Sequence, residues 1–276
     1  MGIFVLASLA LLTSPTVASP GNKTSDFNLG RGGAMVYQIP GNCDALKKLG
    51  VNWFYNWSLE DKDKCQTEAI KFIPSVWGLV GSTPKLPNYV DKTTPVITYN
   101  EPNYKGQAEM TPQQAIEMWP YLEALGNPLT SPPVSACESP NDSNCLNNHW
   151  LEDFMSLANL NHRRVDIIAL HFYGCDSTSL LNYLDLWARQ FPGKPIWLTE
   201  WACLPWAGDP ARYIDQVLPG IERRTKANAW FAVTTEGTEF YPNFSELVTP
   251  QGNLTSLGLR YRQYKYKTFI PLVIRP

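Results

Sequence analysis

Two glutamates carry the chemistry that this sequence announces. Glu101 ends the apolar run VITYNEPN (residues 96–103), and Glu200 ends IWLTEWAC (residues 196–203). Each run reads as a short buried strand that stops abruptly on its carboxylate. Two carboxyls at the ends of two separate strands suit cleavage of a glycosidic bond. One passes a proton to the leaving oxygen, and the other attacks or activates water. Either glutamate alone reads more readily as a solvated or capping carboxylate; the pair in matched settings points to catalysis. Pro102 is expected to hold Glu101 in an extended backbone. Ile196, Leu198 and Glu200 share one parity, and the apolar company of Glu200 places that face inward.

Other residue types near the two runs fit a sugar site. Asn100 is a candidate for hydrogen bonding a 2-hydroxyl, with a turn residue as the plain alternative. In DIIALHFYG (residues 166–174), His171 and Tyr173 share parity with Ile167 and Ala169, so both should point into the same mouth. A satisfied structural histidine competes evenly for His171; Tyr173 could position Glu200 or line a subsite. Tyr55, Trp57, Trp77, Trp201 and Trp230 stand at other strand ends, where flat rings either meet sugar or pack the core. His149 and His162 fall in helical or loop stretches and read as surface residues. No G-x-S-x-G elbow occurs, which disfavours serine-hydrolase chemistry. Neither C-x-x-C nor H-E-x-x-H spacing is present, so no metal and no organic cofactor is indicated.

Eight apolar runs can serve as the strands that position these groups, at residues 32–37, 51–57, 72–77, 95–99, 129–135, 165–173, 195–199 and 227–233. Helical stretches fall between or after them at 43–49, 66–69, 111–125, 150–161, 180–190, 210–225 and 254–264. Thr111-Pro112 and Asp209-Pro210 each supply a cap followed by proline at the first helical position. Strands alternating with helices imply parallel β-α units. Eight units in a chain of 276 residues predict one (β/α)8 TIM barrel. Its active site would lie at the C-terminal ends of the strands, where the fourth and seventh carry Glu101 and Glu200. A doubly wound open sheet is the runner-up, but no Gly-rich phosphate loop follows the first strand.

Net charge is −2, which gives no electrostatic footprint for nucleic acid or an anionic membrane surface. Residues 3–12 are apolar but too few to span a bilayer, and Thr16-Val17-Ala18 resembles a cleavage site. A signal peptide over residues 1–18 is therefore expected, with 19–276 as the mature catalytic domain, secreted and without a membrane anchor. In an oxidising compartment the six cysteines read as disulfides. Fifteen pairings are possible; sequence neighbours are the simplest, giving Cys43 with Cys65, Cys137 with Cys145 and Cys175 with Cys203. The last pair would tie two loops beside Glu200. Sequons stand at Asn22, Asn56, Asn141, Asn243 and Asn253. Asn56, at a strand end, is expected to stay unmodified while the other four are glycosylation candidates. A monomer is expected.

Asn100-Glu101-Pro102 and Thr199-Glu200-Trp201 resemble the clan of retaining (β/α)8 glycosidases. The likeness is closer to glycoside hydrolase family 128, the glycosyl hydrolase catalytic core proteins. RGGAMVY (31–37), WFYNW (53–57), FIPSVWG (72–78), NEPN, LTSPPVSA (129–136), DIIALHFYG, WLTEWAC and AWFAV (229–233) follow that family's order over nearly the whole mature chain. The resemblance implies Glu101 as acid/base, Glu200 as nucleophile and endo-acting cleavage of β-1,3-glucan, in an extracellular or cell-wall setting. A non-catalytic β-glucan-binding wall protein on the same barrel is the alternative from another class. A related barrel glycosidase acting on another β-linked glucan or a mannan is the third reading.

Overall fold

A computed structural model describes residues 27–35, 42–88, 90–137, 142–204, 207–234 and 245–263. Six parallel strands form the central sheet: β1 (Gly30–Ala34), β2 (Trp53–Tyr55), β3 (Lys71–Phe72), β6 (Ile168–Tyr173), β7 (Ile196–Ala202) and β8 (Ala227–Phe231). Their order is β3-β2-β1-β8-β7-β6. Between β3 and β6 the pairing continues as isolated parallel bridges, Ser75 to Ile97, Val96 to Leu129, and Thr130 to Ile167. Residues 95–99 and 129–135 thus occupy the fourth and fifth barrel positions without forming full ladders. The fold is an α/β barrel of the expected (β/α)8 kind. A small hairpin, β4 (Leu79–Val80) with β5 (Thr83–Pro84), follows the third position.

Helices α1 (Asn42–Leu49), α2 (Pro112–Glu123), α3 (Trp150–Leu160), α4 (Ser177–Gln190), α5 (Pro210–Arg224) and α6 (Ser256–Gln263) pack outside. The cap readings hold at atomic detail. Thr111 accepts from the Gln114 backbone while Gln114 reaches back, a complete capping box, and Asp209 accepts from the N–H groups of Ala211 and Arg212. Residues 66–69 form no helix, contrary to expectation. Four residues are barely one helical turn, and the Thr67 and Gln66 side chains compete for the local backbone, accepting from Ile70 and Phe72.

Strand alternation builds two apolar layers. Trp53, Tyr55, Trp197, Ala227 and Ala229 belong to the barrel interior. Phe54, Ile196, Leu198, Trp201 and Trp230 belong to the layer under the helices. Gly32 makes room for the interior plug, because a Cβ there would lie 2.3 Å from the Trp53 ring. Trp53 in turn stacks on Tyr55 at 6.1 Å and packs against Trp197 at 5.6 Å. Both indole N–H groups are satisfied, by Gly30 and Phe27 carbonyls at 3.0 Å.

Ile196 and Leu198 therefore face outward, which corrects the parity expected for β7. Glu200 still points in. Opposite β6, Leu198 pairs with Leu170 but Glu200 pairs with His171, so β7 carries one extra residue at Thr199. The same extra residue shows against β8. A bulge inverts alternation beyond it. Here it turns Glu200 from the helix layer into the barrel mouth.

Candidate active site

Glu200 is buried and surrounded by donors. Its Oε1 accepts from the Tyr55 hydroxyl at 2.7 Å and from the Trp57 indole N–H at 2.8 Å. Tyr173 donates to Oε2. Burial raises the Glu200 carboxyl above its ordinary range, and the Glu101 charge adds to this; His171 and the two tyrosine hydroxyls pull it back. Tyr55 and Tyr173 are themselves pushed well up, by burial first and the Glu200 charge second. Both remain neutral phenols and can only serve this carboxylate as donors. The donor set favours an ionised Glu200 against the cost of its burial.

His171 links the two glutamates. Its Nδ1 lies 2.9 Å from Glu101 Oε1, and its Nε2 lies 3.3 Å from Glu200 Oε1 without hydrogen-bond alignment. Burial alone would lower this imidazole. The Glu200 charge and the Glu101 hydrogen bond outweigh it and set His171 above its usual value. One oxygen of each glutamate and one ring nitrogen all fall within 4.8 Å of one another. These three side chains could also hold a metal ion; at Glu200 Oε1 it would compete with the Tyr55 and Trp57 donors.

Glu101 does not adopt the extended backbone expected before Pro102. Its φ is +39°, in the left-handed region. The reason lies in neighbouring backbone: its N–H donates to the Pro133 carbonyl at 2.9 Å, and its own carbonyl accepts from Tyr104 N–H at 2.9 Å. A strained non-glycine residue costs on the order of 1–3 kcal/mol. A typical hydrogen bond returns about 0.5–1.5 kcal/mol, so the two bonds together match a cost of that size. Trp57, the other residue at the site with positive φ (51°), is tied to Glu200 by its indole.

Asn100 is buried beside Glu101, and its Nδ2 donates to Gln107 Oε1 at 2.9 Å. Trp77 is 40% exposed, and its carbonyl accepts from Asn100 N–H, so an open aromatic residue is tied to the chain beside Glu101. Trp57 and Tyr173 are partly open. Between them stands Phe231, edge-on to both at 5.8 and 5.6 Å. Phe231 was not singled out from sequence, although it shares parity with inward Ala227 and Ala229. Tyr55 is wholly buried and acts on Glu200 rather than as a platform. Trp201 and Trp230 are corrections. Both are fully buried under the helices, edge-to-face at 4.7 Å, and Trp230 donates to the Ser245 carbonyl. No sugar can stack on either.

All six cysteines are paired as neighbours, Cys43 with Cys65, Cys137 with Cys145 and Cys175 with Cys203. The last bond joins the chain just beyond Tyr173 to the chain just beyond Glu200. His149 and His162 are exposed, as is Asn253. Asn56 is half-buried, its Oδ1 accepting from Ser58. Asn22, Asn141 and Asn243, with the leader at residues 1–18, lie outside the described residues. Among the described residues no helix is long and apolar enough to cross a membrane.

A parallel barrel with two close, buried carboxylates at the C-terminal ends of its strands defines a glycosidase-type site. The family model "Glycosyl hydrolase catalytic core" matches residues 33–261, and the chain belongs to that family of glycoside hydrolases. A solved subgroup I family 128 endo-β-1,3-glucanase variant from Amycolatopsis mediterranei is 28% identical, with TM-score 0.71, covering 85% of this chain and 99% of its own. A variant of the same enzyme in complex with laminarihexaose is 27% identical, TM-score 0.71, with the same coverage. Alkali-sensitive linkage protein 1 of Schizosaccharomyces pombe is 27% identical over 234 residues, 80% of this chain. The chain spans 42% of that relative's length.

Proposed function

We propose that this chain is a secreted, retaining endo-β-1,3-glucanase. The observation that carries the mechanism is the approach of one Glu101 oxygen and one Glu200 oxygen to within 4.8 Å. Retaining pairs sit about 5–5.5 Å apart, whereas inverting pairs need about 6.5–9.5 Å to admit a water. Glu200, held by three donors, attacks the anomeric carbon as Glu101 protonates the departing oxygen. A glycosyl ester on Glu200 results. Glu101, now a base, takes a proton from water, which attacks the ester and restores both groups. His171 occupies Glu101 Oε1, leaving Oε2 for the substrate oxygen.

The substrate class rests on the solved family 128 enzymes, which share the fold and are described as acting on β-1,3-glucan or binding laminarihexaose. Trp77, Trp57 and Tyr173 supply aromatic contacts and Asn100 a polar one. Signal removal after Ala18 would leave 19–276 as one catalytic domain bearing sugar at Asn22, Asn141, Asn243 and Asn253. It would act as a monomer outside the cell or in the wall. The purified protein should release short oligosaccharides from β-1,3-glucan but not from β-1,4-glucan. No soluble product from either would favour a glucan-binding protein on the same barrel.

The pH profile follows from Glu200. It must be ionised to attack, and burial raises its pKa, so the acid limb of kcat/KM should lie above the ordinary glutamate value of about 4.3. Activity is lost as pH falls through that raised value. An acid limb at or below pH of about 4 would contradict the assignment of Glu200 as the ionised group.

A further inference from the structure

We infer that Asn103 and the Cys137–Cys145 disulfide beside it are the positioning device for Glu101. This inference rests on the retaining mechanism proposed above. Among the described residues the Glu101 carboxyl has one hydrogen-bonding side-chain partner, His171, and its backbone is left-handed immediately before a proline. Something beyond its own contacts must fix where the carboxyl points. Asn103, two residues on and 2% exposed, is placed to do so.

Its amide is spent on the neighbouring barrel segment. Oδ1 accepts from Ser135 N–H at 3.0 Å, and Nδ2 donates to the Ser135 carbonyl at 2.9 Å and to Cys137 Sγ at 3.2 Å. The Asn103 carbonyl accepts from Leu146 N–H at 2.8 Å. Tyr104 bridges antiparallel to Cys145, and Lys105 N–H donates to the Asn144 carbonyl. The Cys137–Cys145 disulfide ties these two lines of contact together. With both amide protons used, Asn103 has no donor left for a sugar. It is a positioning residue.

Loosening the clip should therefore injure proton transfer while sparing nucleophilic attack. A glucan leaving group is a poor one and needs the Glu101 proton; a dinitrophenolate does not. For Asn103→Ala, kcat on β-1,3-glucan should fall about 100-fold, the cost of roughly 1 Å of misplacement, with KM within about twofold. The pre-steady-state burst from dinitrophenyl β-laminaribioside should stay within about threefold of wild type, since that step bypasses the acid. Asn103→Asp keeps the acceptor for Ser135 N–H but loses the donor, and should fall between the two. The Cys137→Ser/Cys145→Ser pair should show the same split in milder form.

Wild-type protein separates the two claims. If it releases laminaribiose of inverted anomeric configuration from the aryl glycoside, the retaining mechanism fails, and this inference with it. If the burst is present but folded Asn103→Ala loses both substrates in parallel, the positioning role is overturned and the mechanism stands. Should Asn103→Ala fail to fold, Asn103→Asp and the double cysteine variant decide by the same ratio of the two rates.

Discussion

Replacing Glu200 with glutamine is expected to lower β-1,3-glucan hydrolysis by roughly 10⁵-fold or more, the scale on which removing a covalent nucleophile acts. The substitution is nearly isosteric, and the new carbonyl can still accept from Tyr55 and Trp57. The amide nitrogen then meets Tyr173, whose hydroxyl can turn to accept instead of donate. The barrel should fold, so the loss reads chemistry and not stability. Truncation to alanine adds a second readout by leaving a space where the carboxylate stood. Azide can enter it and attack the anomeric carbon of a substrate with an activated leaving group. Turnover should return, and the glycosyl azide should carry the inverted anomeric configuration, resolved by NMR. Activity within tenfold of wild type in the glutamine variant would remove Glu200 from the nucleophile role.

Glu200 is visible in the sequence, while the direction of its side chain is not. A carboxylate at the end of a buried apolar strand is a strong signal because its desolvation must be offset by partners. Its parity with Ile196 and Leu198 does not place it inward, since both face the helices. The bulge at Thr199 reverses the alternation, and nothing in Leu-Thr-Glu marks it. On β6 no residue is inserted, and the parity of His171 and Tyr173 with Ile167 led to the right face. Trp201 and Trp230 show the limit of composition. A ring at a strand end belongs to the mouth or to the helix layer according to one step of alternation. Pro102 restricts Glu101 only locally, whereas hydrogen bonds to Pro133 and Tyr104 set its backbone. The caps at Thr111 and Asp209 were legible because they are local and repeat a fixed spacing. Phe231 was legible in principle, two steps beyond Ala229 on an unbroken face. Asn103 was not, because its partner Ser135 is distant in sequence and engages it through backbone alone.

Glu101→Gln should produce a different defect, which is what tells the two carboxylates apart. Loss of a general acid costs about 10²–10⁴-fold, and only where the leaving group needs a proton. Glucan hydrolysis should fall by that amount. The first step on dinitrophenyl β-laminaribioside should stay close to wild type, because Glu200 and its three donors are untouched. The glycosyl ester should then accumulate, since no base is left to activate water. Azide, which needs no deprotonation, should attack that ester and give a glycosyl azide of retained configuration, opposite to the product from the Glu200→Ala variant. Equal loss on both substrates, or azide products of the same configuration from both variants, would mean that the two glutamates do not divide the reaction between them. The distance limit of 4.8 Å permits the division, but the paired outcomes decide it.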